Sequence, residues 1–146
     1  MLDEHVRHLL DRPGLLGVVC TCRADGSPQA NPVWFRLDDS DHIRIWTDDA
    51  RRWVANLRRA PEVAFSVHEA RRPWTSVSIR GRAKLEALAA DEARAEIRRI
   101  SARYLAPHEL DAYIDAWPQT RKIVTIHPAA VFAAQAFEDP VAHRRS

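Results

Sequence analysis

Between Ser76 and Leu85 the chain alternates without a break, with Val77, Ile79, Gly81, Ala83 and Leu85 interleaving with Ser76, Ser78, Arg80, Arg82 and Lys84. A period of two sets an apolar face against a cationic one, the pattern of a strand with one side in a core. Other runs follow the same logic. Leu15 to Arg23 is continuously apolar and rich in β-branched residues, and Asp25-Gly26 marks a turn into a second extended run, Gln29 to Leu37. Ile43 to Thr47, Val63 to Val67 and Lys122 to His127 supply three more, and Pro128 is expected to end the last of them.

Six strands in succession, most joined by connections too short for crossovers, predict a mainly β fold: an antiparallel sheet with flanking helices, closed toward a barrel so that few edges stay open. The helices are read from a period near 3.6. Residues 2–11 place Leu2, Val6, Leu9 and Leu10 on one side, and Ala50 to Arg59 places Trp53, Val54 and Leu57 on a stripe, with Asp48 or Asp49 as its cap. Leu88 to Tyr104 and Pro107 to Ala116 follow, the second with proline at its start. At 146 residues this is one domain, with its core over about 15–127 and a flexible tail at 138–146.

The first residues, MLDEHVRHLLDRP, lack the basic start and apolar run of a signal peptide, and no window reaches the roughly 18 apolar residues of a membrane span, so a cytoplasmic protein is expected. Cys20 and Cys22 lie two apart on one strand, a spacing poor for a mutual disulfide, and read as small buried hydrophobes. No further ligand set of the right spacing points to a metal.

Charge is uneven. Residues Arg51 to Lys84 hold nine bases and two acids, Glu62 and Glu69, a net of +7, so the rest of the chain, within a total of +2, carries −5. Such an excess suits an anionic partner, or is a solvated surface. Its densest part, Thr47 to Arg59, joins a strand end, a helix start and the guanidinium pair Arg51 and Arg52, all of which favour a bound phosphate. In the first turn of a helix these arginines oppose the dipole, a local cost that a ligand would offset; the alternative is solvation or pairing with Asp48 and Asp49.

Trp34, Trp46 and Trp74 lie at or near strand ends, where flat rings can stack on a planar ligand or fill a core or an interface. Pro32 within a strand implies an edge, with backbone donors open to a ligand. No nucleophile elbow, paired carboxylates or Walker loop occurs, and the histidines are scattered, so no catalytic residue is assigned and a cofactor would have to perform the difficult step.

The motifs Asp25-Gly26-Ser27-Pro28-Gln29, Pro32-Val33-Trp34-Phe35, Ile45-Trp46-Thr47, Asn56-Leu57-Arg58-Arg59 with Pro61, and Ile79-Arg80-Gly81-Arg82-Ala83 occur in that order. Together, over about Leu15 to Ile126, the chain resembles the pyridoxamine-phosphate-oxidase-like split barrels, and within them the flavin- and deazaflavin (F420)-dependent oxidoreductases. The resemblance implies a six-stranded split β-barrel that forms a homodimer, with two cofactor sites at the interface. It implies FMN or F420 as cofactor, phosphate near Thr47 to Asn56 and ring along Asn31, Pro32, Val33 and Trp34. Arg51 and Arg52 become phosphate ligands, and Trp74 and Ser76 reach in from the other subunit. Many relatives carry a lysine three residues before the Asn-Leu pair, where this chain has Trp53, which leaves neutralisation to the two arginines.

The implied function is hydride transfer to a small unsaturated substrate. The alternative on the same fold is a non-catalytic protein that carries a flavin, F420 or heme. A nucleic-acid surface over Arg51 to Lys84 is the least favoured reading.

Overall fold

A computed structural model describes residues 2–116 and 121–135. The expected tail at 138–146 lies outside these. The chain runs through α1 (Glu4–Leu10), β1 (Gly17–Cys22), β2 (Pro28–Val33), β3 (Phe35–Leu37), β4 (Ile43–Asp48), α2 (Arg52–Arg59), β5 (Glu62–His68), β6 (Ser76–Glu86), α3 (Ala90–Ser101), a 3₁₀ turn at Pro107–Glu109, α4 (Leu110–Asp115) and β7 (Arg121–Ala134). No helix among the described residues is long and apolar enough to cross a membrane.

The strands form one antiparallel sheet in the order β2-β1-β5-β6-β7-β4-β3. Its two outer strands, β2 and β3, are consecutive in the chain and separated by Trp34 alone. The sheet therefore curls back on itself, and its ends are joined by the covalent chain rather than by a ladder of hydrogen bonds. This is a split barrel.

Seven strands replace the expected six because the extended run Gln29–Leu37 divides at Trp34. Val33 pairs with Gly17 on one side of the split, and Phe35 pairs with Ile45 on the other. Sequence periodicity carries no mark of such a change of partner. Tyr104 closes the seam. Its hydroxyl donates to the Leu15 carbonyl at 2.7 Å and accepts the Phe35 N–H at 3.2 Å, so one side chain ties the approach to β1 to the start of β3.

Alternation puts Val19, Phe35, Ile43, Ile45, Val63, Phe65, Val77, Ile79, Val124 and Ile126 inside, and α1 and α2 close the core with Val6, Leu9, Leu10, Trp53, Val54 and Leu57. Each such side chain contributes about 1.5–3 kcal/mol by leaving water. Gly17 makes room for Phe65, since a Cβ there would come within 2.3 Å of that ring.

The last strand does not stop at Pro128. It continues to Ala134 through a bulge at which Arg80 faces Ala130 and Gly81 faces Pro128, leaving Ala129 unpaired. A Cβ on Gly81 would sit 2.3 Å from the His127 carbonyl oxygen, so the bulge requires glycine. Cys20 and Cys22 are not buried. The inner face of β1 belongs to Gly17, Val19 and Thr21, which leaves Cys20 half-buried and Cys22 exposed on the outer face.

Behind β4 and β7, α3 and α4 pack Ile97 and Ile114 on Ile123, flanked by Trp46 and Tyr113. Glu96 of α3 is 3% exposed and accepts from Arg36 Nε and Nη2, along one guanidinium edge, at 2.6 and 2.9 Å, with Arg99 at 3.2 Å. Burial alone would raise its pKa, but the bonds and charges of Arg36, then Arg44 and Arg99, hold the carboxyl below its ordinary value.

Candidate functional site

A cavity of about 330 Å³ opens where β2, the end of β4 and the approach to α2 meet. Leu16, Pro32, Val33, Trp34, Trp46, Trp53 and Tyr113 form its apolar walls, and Asn31, Thr47, Asp48 and Arg51 add polar groups. That volume is at the lower end of the roughly 300–1,000 Å³ usual for ligand sites.

The walls are held from behind. Trp34 stacks on Tyr104 at 4.7 Å between centroids with planes 8° apart, and on Tyr113 at 5.2 Å, while Trp46 meets Tyr113 edge-on at 6.0 Å. These contacts fix the rings of the split and tie α4 to the cavity. Trp34 therefore belongs chiefly to a rigid aromatic wall. Burial pushes the Tyr104 phenol above its ordinary value, so at neutral pH it stays a hydrogen-bond donor.

The polar end follows from the start of α2. The helix begins at Arg52 rather than Ala50, and its N-cap is Arg51, whose side chain makes no capping bond. Neither aspartate caps it. Asp48 accepts the Ala50 N–H at 2.8 Å, and Asp49 binds Arg58. Both aspartates are thus occupied, and Arg51 and Arg52 remain exposed without an ion-pair partner among the described residues. Arg51 lines the cavity next to Thr47, and Arg52 does not.

Of the residues singled out in the sequence, the fold gathers Asn31, Pro32, Val33, Trp34, Thr47 and Arg51 around this one cavity. Arg52, Asn56, Trp74 and Ser76 lie outside it. Asn56 is buried beneath α2, where its Nδ2 donates to Thr21 Oγ1 at 3.0 Å and to Gln29 Oε1 at 3.1 Å. Trp74 is 41% exposed in the loop before β6, and Ser76 opens that strand.

Three wall residues, Leu16, Tyr113 and Asp48, carried no signal as ligand contacts. For Tyr113 a helical signal existed: with Leu110 and Ile114 it lies on one stripe of α4 at spacings of three and four. Pro32 does mark a sheet edge, because β2 is the outermost strand. Pro28 and Pro32 also strip two N–H donors from that strand, which protects it against strand addition more than it offers donors to a ligand.

A curled antiparallel sheet split between consecutive strands, with an aromatic cavity at the split and a cation at its rim, defines the class of small split barrels. The chain belongs to the pyridoxamine 5'-phosphate oxidase family, whose model matches residues 2–135. Among solved structures, one described as an F420 reductase is 30% identical, with a TM-score of 0.71, over 90% of this chain and 98% of its own. A conserved hypothetical protein from Mycobacterium tuberculosis is 19% identical with a TM-score of 0.76, covering 92% of this chain and 85% of that one. HupZ of Group A Streptococcus is 18% identical with a TM-score of 0.67, over 93% and 96%. The latter two share the fold. No curated protein matches the sequence.

Proposed function

We propose that this chain is an oxidoreductase that uses a flavin-type cofactor, F420 or FMN, to pass a hydride to a small unsaturated substrate. The observation that carries the reading is the cavity at the split, where planar aromatic walls run up to Arg51, which has no ion-pair partner among the described residues, beside a helix start with no side-chain cap. A ligand that is flat at one end and anionic at the other fits those walls and that rim. The similarity to an F420 reductase supports it.

When bound, such a ring supplies the hydride chemistry. The chain's own residues bind and orient. Arg51, the Thr47 hydroxyl and the first N–H groups of α2 hold the anionic group, with Arg52 next in line. Val33, Trp46 and Trp53 exclude water from the ring. The cavity's one carboxylate, Asp48, is engaged by the Ala50 N–H, so the reading assigns no acid or base from the protein.

The reading includes a homodimer. On the outer face, Pro32, Val18, Ser66, Ser78 and Phe132 align across five strands, and Ala30, Cys20, Ala64, Arg80 and Ala130 form the next row. Apart from Arg80 these side chains are short or apolar, and Phe132 is 58% exposed with the Arg80 guanidinium over its ring. A second copy packed there would wall the cavity at Pro32. Trp74 and Ser76 of each subunit then complete the other's site.

Fluorescence titration with F420 and with FMN tests the reading, followed by anaerobic turnover of the reduced cofactor against a panel of enones and quinones. Tight binding with turnover is expected. Binding without turnover would make the chain a carrier, and binding of neither would overturn the reading.

A further inference from the structure

Asn31 stands on the inner face of β2 between Gln29 and Val33. Its neighbour Gln29 is satisfied, because Asn56 donates to it. Asn31 is not. Its Oδ1 is shut off from solvent and has no hydrogen-bond partner among the described residues, although the residue lines the cavity with Trp34, Trp46 and Trp53. Native structures rarely leave a buried carbonyl oxygen unpaired, and on a residue that lines a cavity a small turn of the side chain offers that oxygen to a donor on a ligand.

The chemistry of that donor is narrow. A carboxamide carries an acceptor and a pair of donors side by side in one plane. Its complement is a planar edge in which an N–H lies beside a carbonyl, as in a cyclic imide. Phosphate, carboxylate and saturated chains offer only acceptors or nothing. Turning the amide over exchanges its oxygen and nitrogen, and an imide edge satisfies either setting.

We propose that the Asn31 carboxamide recognises the cyclic imide edge of a planar ligand, accepting the ring N–H at Oδ1 and donating Nδ2 to the flanking carbonyl. The proposal rests on the flavin-type reading above and adds to it the group that sets the ring's orientation. FMN and F420 share the imide, so Asn31 selects the ring class, and Arg51 responds to the anionic tail. A ring entered the other way round would leave Oδ1 facing carbon.

The test compares wild type and Asn31→Leu, each titrated with FMN and F420 and with their N3-methyl counterparts, which lack the imide N–H. Quenching of ring or tryptophan fluorescence is the readout. Wild type is expected to bind the methylated rings about tenfold to a hundredfold more weakly than the parents, the effect of leaving a buried acceptor unpaired. In Asn31→Leu parent and methylated rings should bind alike. The Asn31 side chain makes no hydrogen bond to the described residues, so this variant is expected to fold; should it fail to, Asn31→Ala gives the same comparison. A methyl penalty equal in wild type and variant, or none in wild type, overturns the proposal and leaves the flavin-type reading in place. Failure of wild type to bind either FMN or F420 overturns both.

Discussion

At the scale of single residues, two side chains show how far apart a visible role and a hidden one can lie. Arg51 and Arg52 read identically in the sequence, as a guanidinium pair at a helix start. The fold separates them, since Arg51 is the N-cap at the cavity and Arg52 the first helical residue outside it. Arg51→Ala is therefore expected to weaken FMN or F420 binding by roughly tenfold, the size of one charge-assisted contact, and Arg52→Ala by less, as measured by fluorescence titration. Tyr104 gave no hint beyond its place on the stripe of a helix. Its hydroxyl serves two backbone groups at the seam, and no local pattern encodes a partner more than 60 residues away in the chain. Tyr104→Phe keeps the stack on Trp34 and leaves both groups unpaired. It should cost about 1–3 kcal/mol in urea denaturation.

Among the elements, the strands with a clean period of two were legible nearly to the residue. β5 and β6 bury the alternating sets the sequence displays. What was illegible depends on contacts between elements. The division of one run at Trp34, and the passage of β7 through Pro128, both follow from pairing with strands distant in sequence. The bulge in β7 makes Gly81→Ala a sharp probe, because the new methyl meets backbone rather than a side chain that can turn aside. A loss of about 1–3 kcal/mol is expected, measured by thermal or urea unfolding.

The link between α3 and the sheet responds to acid. The folded state holds the Glu96 carboxyl below its ordinary value of 4.5, so ionisation favours folding above that pH, and the contribution is lost as pH falls through the folded value. Glu96→Gln should therefore be less stable than wild type at pH 7, with the gap narrowing as the pH drops below about 4 in parallel denaturation curves.

For the molecule as a whole, the strand patterns sufficed for a mainly β fold, and the order of weak motifs pointed to its family. The cavity itself was half legible: the strand Asn31–Trp34 and the Thr47–Arg51 turn were visible, and the tyrosines that brace them were not. Assembly is tested at the middle of the outer face. Ala64→Arg sets a cation beside Arg80 and should yield a folded monomer in sedimentation velocity, with weaker FMN and F420 binding because each site loses a wall.

The order in which the strands pair bears on how the chain is made. β4 pairs only with β3 and β7, while β2, β1, β5 and β6 form a group of their own. Until β7 emerges, the chain on a ribosome holds two pieces of sheet tethered at Trp34 and through α2, with one wall of the cavity on each. Among the described strands, β7 joins the two pieces and brings those walls to their working separation. Ligand capture during synthesis must therefore await β7, and a ligand that spans both walls would act as a clamp across the split.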